Sequence, residues 1–448
     1  MNDEAKQDVP AGLVRNLTTR WELNAPDIGD VNTNTQTPKT THRSRGVKPR
    51  KTIPQLHNNF FKEILCPTNG EMEVAGFTVT EEREEGPKQT SNIMTVQVLT
   101  TDDSHIHFIL KSINSSPEAK VLKFKELFKK EALMYRTIIP SLITMHPDHP
   151  LTMFCRSYHT SHDLIVLDDL ASHGYRKGDQ KAGLDAAHCK LVFAELGRFH
   201  AATYVLKNSD SADISSALNE ANREIQFTEE RRSIYDEHFA QLAKSTLDII
   251  CKSPETSRYA KRIEDILKNK YQHLLTFLKP REPFSTLTHG ELWTNNMMFS
   301  YSKDEPVSVK FLDFQTCRYG SPALDINYFL YTSTTALVRG RHMDEFLRTY
   351  HRSLVRTLRQ SGLNSTMNLT DLRREVNSMS MYGFLAAHLN LRNMFYDPDV
   401  RDDADNLFSK RITEIVMDLG EQGLLKLCEI ASSETIGLAS EKEKAPSE

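Results

Sequence analysis

Three polar residues between positions 285 and 325 have the types and the spacing that phosphate chemistry needs. Glu291 lies in a loop, and Asn296 follows it five positions later. Asp313 ends a short apolar run that begins at Val309. We expect the apolar runs after Asn296 and before Asp313 to form a hairpin, which would bring these two side chains together. An amide oxygen and a carboxylate are hard oxygen ligands that suit Mg²⁺ shared with nucleotide phosphates.

Each of these residues also has an ordinary structural explanation. An aspartate that closes a strand is more often a turn residue than a metal ligand, and Gly290 can be explained by a positive φ alone. The ordered combination is less easily explained by chance than its parts. The sequence therefore indicates a phosphotransferase site as a hypothesis that further residues must support.

Lys111 and Glu131 form a second candidate pair, earlier in the chain. Lys111 lies in a predicted strand, 105–113, whose two faces are both largely apolar, so the strand is predicted to be central and Lys111 partly buried. Glu131 falls inside the apolar stripe of a predicted helix, 118–139. A carboxylate on a buried helix face is costly unless a cation meets it. Lys111 is the expected partner, either in a structural ion pair or in a functional site.

The elements that must position these residues divide the chain into a strand-rich part and a helix-rich part. Fold class α+β is predicted, with a two-lobed protein-kinase-like arrangement. The predicted N-lobe covers 59–170 and the predicted C-lobe covers 171–431, between a disordered extension at 1–58 and a flexible tail at 432–448. Strands are predicted at 95–99, 105–113 and 163–170, and helices at 186–206, 212–250, 256–278, 323–338, 343–361, 370–395 and 403–430.

Composition excludes several other classes of protein. The 448 residues carry a formal net charge of −4, which gives no basic field for nucleic acid. The six cysteines are scattered, which favours a reducing compartment and argues against a structural zinc site. No signal sequence or membrane span is evident, so a cytoplasmic protein is expected, with a monomer as the default. The basic stretch Lys39–Lys51 is interpreted as a solvated tail, with a localisation or docking signal as the alternative.

The motifs together resemble the ecdysteroid kinase-like (CHK kinase-like) family, within the aminoglycoside phosphotransferase and choline kinase group. The resemblance extends over residues 60 to 430, and the Trp after Glu291 and the triplet Asp313-Phe314-Gln315 are its most specific features. The segments that carry it are Phe128–Tyr135, Leu164–Leu170, Leu196–Ala201, His289–Trp293 with Asn296, Phe311–Gln315 and Gly320–Asp325.

This resemblance implies ATP bound in a cleft between two lobes. Lys111 would hold the α- and β-phosphates, and Glu131 would orient it. Asp313 and Asn296 would ligate Mg²⁺, and Glu291 would accept the proton of a substrate hydroxyl. The substrate would be a small hydroxylated molecule, an ecdysteroid-like steroid or a xenobiotic alcohol.

Further roles follow from the same resemblance. Asp168, Asp169 and Leu170 would form the hinge that meets the adenine, and Gly86 and Ser91 would belong to the phosphate-covering loop. Asp325 would brace the catalytic loop and His289 would orient it, whereas His200 is interpreted as a satisfied core histidine. The acceptor pocket is expected among C-lobe helices, with an aromatic set that ordinary core packing also explains: Tyr328, Phe329, Tyr331, Tyr382, Phe384 and Phe395.

Two departures from the family pattern leave an alternative open. Glu291 stands where the family has Asp, and a misplacement of about 1 Å can cost about 10²-fold in rate. In the phosphate-covering segment, Pro87 stiffens the loop and removes a backbone donor. The alternative is a catalytically weak pseudokinase that binds a ligand or a protein partner. A protein kinase is disfavoured because no Ala-Pro-Glu follows Asp313, and a dehydrogenase because no Gly-x-Gly-x-x-Gly follows a strand.

Overall fold

The computed structural model describes residues 56–65, 72–82, 91–114, 116–208, 211–365, 367–395 and 401–425. The described residues do not include Gly86 or the predicted tail at 432–448. Of the predicted extension at 1–58, they include only the last three residues. No helix among the described residues is long and apolar enough to cross a membrane.

A five-stranded antiparallel sheet forms the N-terminal part of the molecule, with strand order β1-β2-β3-β5-β4. Strand β3 lies at its centre, as the two apolar faces of that segment predicted, because both of its faces are covered. Phe108 and Leu110 pack with Phe61 of helix α1 on one face, and Ile109 and Ile113 pack on the main core on the other. The strands and this helix are α1 (Asn58–Leu65), β1 (Val74–Glu82), β2 (Ser91–Thr100), β3 (His105–Ile113), β4 (Ser157–Thr160) and β5 (Leu164–Asp168).

The predicted helix 118–139 is wrong at both ends. The structure has a short α2 (Pro117–Val121), then a break at Lys123, whose φ is 56°. Helix α3 (Phe124–Leu133) follows and runs through a π-helical turn, Met134–Ile138, into α4 (Ile139–Thr144). Pro140 lies directly after that turn and has no N–H to donate, so an ordinary helical hydrogen bond is missing there.

The C-terminal part is helical and contains the main apolar core. The predicted helices 212–250 and 370–395 are each divided into two, and 256–278 is divided into three. The two helices predicted at 323–338 and 343–361 are both present, but the second begins earlier than predicted, after its N-cap Thr335. The helices are α5 (Ala186–Lys207), α6 (Ala212–Asn222), α7 (Arg232–Lys252), α8 (Pro254–Ser257), α9 (Ala260–Lys268), α10 (Lys270–Phe277), α11 (Ala323–Ser333), α12 (Ala336–Gln360), α13 (Leu369–Ser378), α14 (Ser380–Met394) and α15 (Arg401–Glu421).

The division of the predicted helix 212–250 has a tertiary cause. Its break contains Glu224, whose carboxylate accepts the backbone N–H groups of Gln226 and Phe227 and forms an ion pair with Arg318. A buried ion pair with two further hydrogen bonds outweighs the helical propensity of the segment.

Two short antiparallel pairs of strands lie between the sheet and the last helices. Strand β6 (Thr286–Thr288) pairs with β9 (Arg318–Gly320), and β7 (Met297–Ser302) pairs with β8 (Glu305–Phe311), both antiparallel. The α+β fold class is thus confirmed, with strands first and helices after. The exact lobe boundary after residue 170 remains a prediction.

Candidate active site

Lys111 joins the two parts of the molecule through its ammonium group. It lies on β3, and its Nζ is 2.7 Å from both carboxylate oxygens of Glu131 on α3. The same Nζ is 3.2 Å from Oδ1 of Asp313, which follows β8. Lys111 is 6% exposed and Glu131 is 0% exposed, so the pair is more deeply buried than the sequence predicted. The predicted contact between Lys111 and Glu131 is confirmed.

The charges of this cluster support one another. Burial alone would lower the pKa of Lys111, but Asp313 and Glu131 outweigh burial and raise it. Burial raises the pKa of Glu131, while Lys111 opposes that rise and Asp313 adds to it. Because both oxygens of Glu131 accept from one ammonium, we describe the contact as a charged pair. It holds a cation beside the carboxylate of Asp313.

The β7–β8 hairpin brings Asn296 and Asp313 together, as predicted. The backbone N–H of Leu312 donates to the carbonyl of Asn296 at 2.9 Å, which fixes the two segments side by side. The amide nitrogen of Asn296 donates to the carbonyl of Glu291 at 3.0 Å, which turns its Oδ1 away from that carbonyl. Asp313 has a φ of 66°, and Gln315 donates to its Oδ2 at 3.4 Å. Both residues thus present oxygen atoms held by the backbone around them.

His289 and Gly290 tie the loop of Glu291 to the segment around Asp313. The Nε2 of His289 lies 2.9 Å from the carbonyl of Leu312, and burial lowers the pKa of His289. A neutral imidazole can therefore donate to Leu312 and accept from the backbone of Glu291. Gly290 has a φ of 90°, and an added Cβ would collide with the carbonyl of Thr316. The predicted positive φ is confirmed, and close backbone approach is a second reason for glycine.

Asp325 braces the loop from below. Its carboxylate accepts the backbone N–H of His289 at 2.6 Å and that of Gly290 at 2.9 Å, and it lies 3.0 Å from Nε2 of His200. Burial alone would raise the pKa of Asp325, but hydrogen bonds, first that from His200, outweigh burial and lower it. His200 also lies 2.9 Å from the hydroxyl of Tyr350. His200 is therefore a satisfied core histidine that supports the brace.

The charge of Glu291 acts on tyrosines of three different helices. Burial, followed by smaller contributions that include Glu291, raises the pKa values of Tyr235, Tyr328 and Tyr382. The rings of Tyr328 and Tyr382 are 6.5 Å apart. The hydroxyl of Tyr328 and the indole N–H of Trp293 are buried and have no hydrogen-bond partner among the described residues. Polar groups without partners are thus concentrated around the candidate base.

The other members of the predicted aromatic set pack in the core. Phe329 meets Phe193 with ring centroids 5.7 Å apart, and Tyr331 lies under the guanidinium of Arg339. Phe384 is buried against His388, and Phe395 is buried as well. Core packing therefore explains these four, and only Tyr328 and Tyr382 of the set remain candidates for contact with an acceptor.

Three residues near the site were not predicted from the sequence: Arg318, Glu224 and Tyr235. Arg318 is buried and paired with Glu224. Burial alone would lower the pKa of Arg318, but nearby charges, first that of Glu224 and then others that include Glu291, raise it. Tyr235 comes from α7, which no motif links to the loop. The position of Arg318 offered a signal, because it follows Asp313 closely in a strand that pairs with the strand leading into the loop.

The predicted hinge residues lie at the end of β5. The backbone N–H of Asp168 donates to Arg156 and that of Asp169 donates to His107, while Leu170 is buried. Ser91 begins β2 on the sheet face that carries Lys111, and its buried hydroxyl has no hydrogen-bond partner among the described residues. Ser91 pairs with Ile113 and Asp168 pairs with Phe108, so these two positions lie along β3 on either side of Lys111.

The donor set fits a metal that phosphate groups help to hold. Within the described ranges, no three His, Cys, Asp or Glu side chains are arranged to bind a metal ion by themselves. Asn296 and Asp313 supply two hard oxygen donors, which is the number that Mg²⁺ commonly takes from a protein when phosphates complete its coordination.

Solved structures of several small-molecule kinases are similar to this chain. An amicoumacin kinase in complex with AMP-PNP and Ca²⁺ has 15% identity and a TM-score of 0.41, with 75% of this chain and 87% of that chain covered. A Plasmodium vivax ethanolamine kinase has 11% identity and a TM-score of 0.42, with 76% and 81% covered. A macrolide 2′-phosphotransferase from Brachybacterium faecium has 12% identity and a TM-score of 0.35, with 77% and 95% covered.

Family membership rests on the sequence itself. No curated protein sequence matches the chain. Residues 85–363, more than half of the chain, match the ecdysteroid kinase-like family. The chain belongs to the ecdysteroid kinase-like family, and this membership points to a small-molecule phosphotransferase of the kinase-like group.

Proposed function

We propose that this chain transfers a phosphoryl group from Mg·ATP to a hydroxyl of a small molecule, such as a steroid or xenobiotic alcohol. One observation carries the proposal. Lys111, paired with Glu131 in the N-terminal sheet and helix, reaches Asp313 at 3.2 Å across the cleft. A purely structural ion pair has no need of the second carboxylate, whereas phosphate binding needs a cation beside a metal ligand.

The residues of this chain divide the work between positioning and proton transfer. Lys111 would bind the α- and β-phosphates, with Glu131 fixing its direction. Asn296 and Asp313 would hold Mg²⁺, which when bound neutralises charge on the phosphate oxygens. Ser91 would donate its hydroxyl to a phosphate oxygen. Leu170 would meet the adenine through its backbone, because the N–H groups of Asp168 and Asp169 already donate within the N-terminal part.

Glu291 would accept the proton of the acceptor hydroxyl. The backbone of the loop is fixed through His289, Gly290 and Asp325, so the carboxylate works from a rigid base. The unpartnered hydroxyl of Tyr328 would donate to a polar group of the acceptor and orient it. Proton abstraction is the smaller part of such a reaction, and positioning is the larger.

Nucleotide binding is tested by thermal unfolding with and without Mg·ATP. The wild type is expected to show a higher Tm with Mg·ATP, because a ligand that binds only the folded chain stabilises it. Asp313→Ala is expected to lose most of that shift, since a metal ligand is removed. Asp304→Asn is the matched control: it removes one carboxylate in the exposed β7–β8 turn, where φ is 67° and Asn is well tolerated. If Mg·ATP does not shift the Tm of the wild type, the proposed enzymatic function is refuted.

A weak pseudokinase is the second candidate, and the glutamate at position 291 favours it. Glu291→Asp distinguishes the two. If the site is adapted to glutamate, turnover of ATP with a hydroxylated acceptor stays equal or falls in Glu291→Asp. A gain of about tenfold or more would mean that the longer side chain impairs the native site. The Mg·ATP shift of the same variant should match the wild type, which separates catalysis from binding.

A further inference from the structure

A groove of about 590 Å³ lies between α12 and α13, on a part of the molecule that the phosphotransfer site does not use. Four arginines line it: Arg348, Arg352, Arg356 and Arg359. The apolar side chains of Val355 and Leu369 also line the groove and are half-buried. The groove therefore combines apolar contact surface with a high density of positive charge.

The arginines form one row along the helix. Successive spacings of four, four and three residues place them on a single face, over about 16 Å at the rise of an α-helix. Arg348 pairs with Asp344 at 3.2 Å. Across the described ranges, no carboxylate lies within ion-pair distance of Arg352, Arg356 or Arg359. The row thus keeps three guanidinium groups that the described protein does not neutralise.

Stability alone does not account for this row. Like charges three or four residues apart on a helix repel one another. The helix dipole favours Arg356 and Arg359 near the C-terminal end of α12, but it does not favour Arg348 and Arg352 in the middle. The chain as a whole has a net charge of −4, so this row of positive charges is not part of a general excess of positive charge. A bound anion would remove the repulsion.

We propose that this groove binds a soluble small molecule that carries two or more phosphate groups. Guanidinium groups bind phosphate with two parallel hydrogen bonds, and a row of them suits a ligand with several phosphates. The volume lies in the range of small-molecule sites. The groove is open to solvent, so the guanidinium row and the apolar side chains of Val355 and Leu369 would contact the ligand from one side.

The probe is myo-inositol hexakisphosphate, titrated calorimetrically into the full chain. Arg352→Gln combined with Arg356→Gln should weaken binding by about tenfold or more, because two charge-assisted contacts are lost. The matched control is Arg341→Gln combined with Lys410→Gln, which removes two exposed charges outside the groove. The control should bind within about twofold of the wild type if the groove, and not net charge, is responsible. The Tm of each variant reports whether it is folded.

Each other outcome overturns the proposal. Absence of binding by the wild type does so, as does an equal loss in both double variants, since that would show unspecific attraction. Binding of a hexaglutamate peptide as tightly as the probe would assign the groove to acidic peptides. Binding to vesicles that contain phosphatidylinositol bisphosphate, without binding of the free probe, would assign it to a membrane surface.

Discussion

Asp325 limits how the loop of Glu291, the candidate base, can vary. Its buried carboxylate holds the backbone N–H groups of His289 and Gly290, and no side chain of the loop takes part in these two bonds. A change of residue at position 291 therefore leaves the main chain in place and alters only how far the carboxylate reaches. This explains how a glutamate can stand at a position where the family has aspartate without rebuilding the loop.

Gly290 gives the sharpest test at the scale of one residue. In Gly290→Ala, the new Cβ would have to displace the backbone of Thr316, and φ would stay near 90°. We expect a loss of about 2–4 kcal/mol in the free energy of unfolding, measured with urea, together with loss of the Mg·ATP shift.

The matched control is Gly423→Ala. Gly423 also has a positive φ, 65°, but an added Cβ there meets nothing within 4 Å. It should lose only about 1 kcal/mol, the cost of the backbone conformation. Equal losses in the two variants would mean that close approach to Thr316 has no role.

At the scale of elements, the sequence predicted strands better than helix boundaries. The segment 105–113 matches β3 because alternation and burial agree there. Helix ends depended on contacts that lie far away in sequence, such as the pair of Glu224 with Arg318, 94 residues apart. The π-helical turn before Pro140 is a further departure from the regular 3.6-residue period. Periodicity contains no information about such partners, so the number of helices could not be predicted.

Helices α7, α10 and α14 pack around Lys270, which has no carboxylate partner in the part of the chain that the structure describes. Nζ of Lys270 lies 3.1 Å from the carbonyl of Phe239 and 2.9 Å from Nε2 of His388, and it lies over the ring of Phe239. Burial lowers the pKa of Lys270 to about 7. Nδ1 of His388 lies 3.0 Å from the hydroxyl of Thr246, and burial lowers the pKa of His388 well below its usual value.

A pH dependence of stability follows from Lys270. Between about pH 7 and pH 10 the unfolded chain binds a proton at this lysine that the folded chain does not. Lys270 therefore lowers stability most at and below about pH 7, and less as the pH rises towards 10. Lys270→Met should therefore gain stability relative to the wild type at pH 7, and the gain should shrink towards pH 9. Urea unfolding at pH 7, 8 and 9 measures it. Lys279→Met, at an exposed position, should show no such trend. A gain that does not change with pH would contradict the lowered pKa.

At the scale of the whole molecule, charged and aromatic contacts are among those that join the two halves. Lys111 reaches Asp313, and the ring of Tyr135 meets that of Phe314 edge-on at 6.0 Å. The sequence predicted the pairing of Lys111 with Glu131 and the meeting of Asn296 with Asp313, because each followed from burial or from a hairpin. It did not predict that the charge of Glu291 would affect the pKa values of Tyr235 and Arg318, because these residues come near the loop only when separate elements pack together.

The buried pair should be strongly coupled in stability. Lys111→Met leaves Glu131 buried without a cation, and we expect a loss of about 3–5 kcal/mol in the free energy of unfolding. Lys111→Met combined with Glu131→Gln should recover much of that loss, since the uncompensated charge is gone. A double-mutant cycle by urea unfolding measures the coupling. Additive effects would show that Lys111 and Glu131 do not depend on each other.

The close approach of Gly290 to Thr316 has a mechanical consequence. Since the two loops touch backbone to backbone and share the contact between His289 and Leu312, Glu291, Asn296 and Asp313 belong to one rigid part. Any rocking of the sheet against the helices would then leave the spacing of these three residues unchanged and alter the gap from Lys111 to Asp313. Glu291, Asn296 and Asp313 would thus move together, as one unit, relative to Lys111.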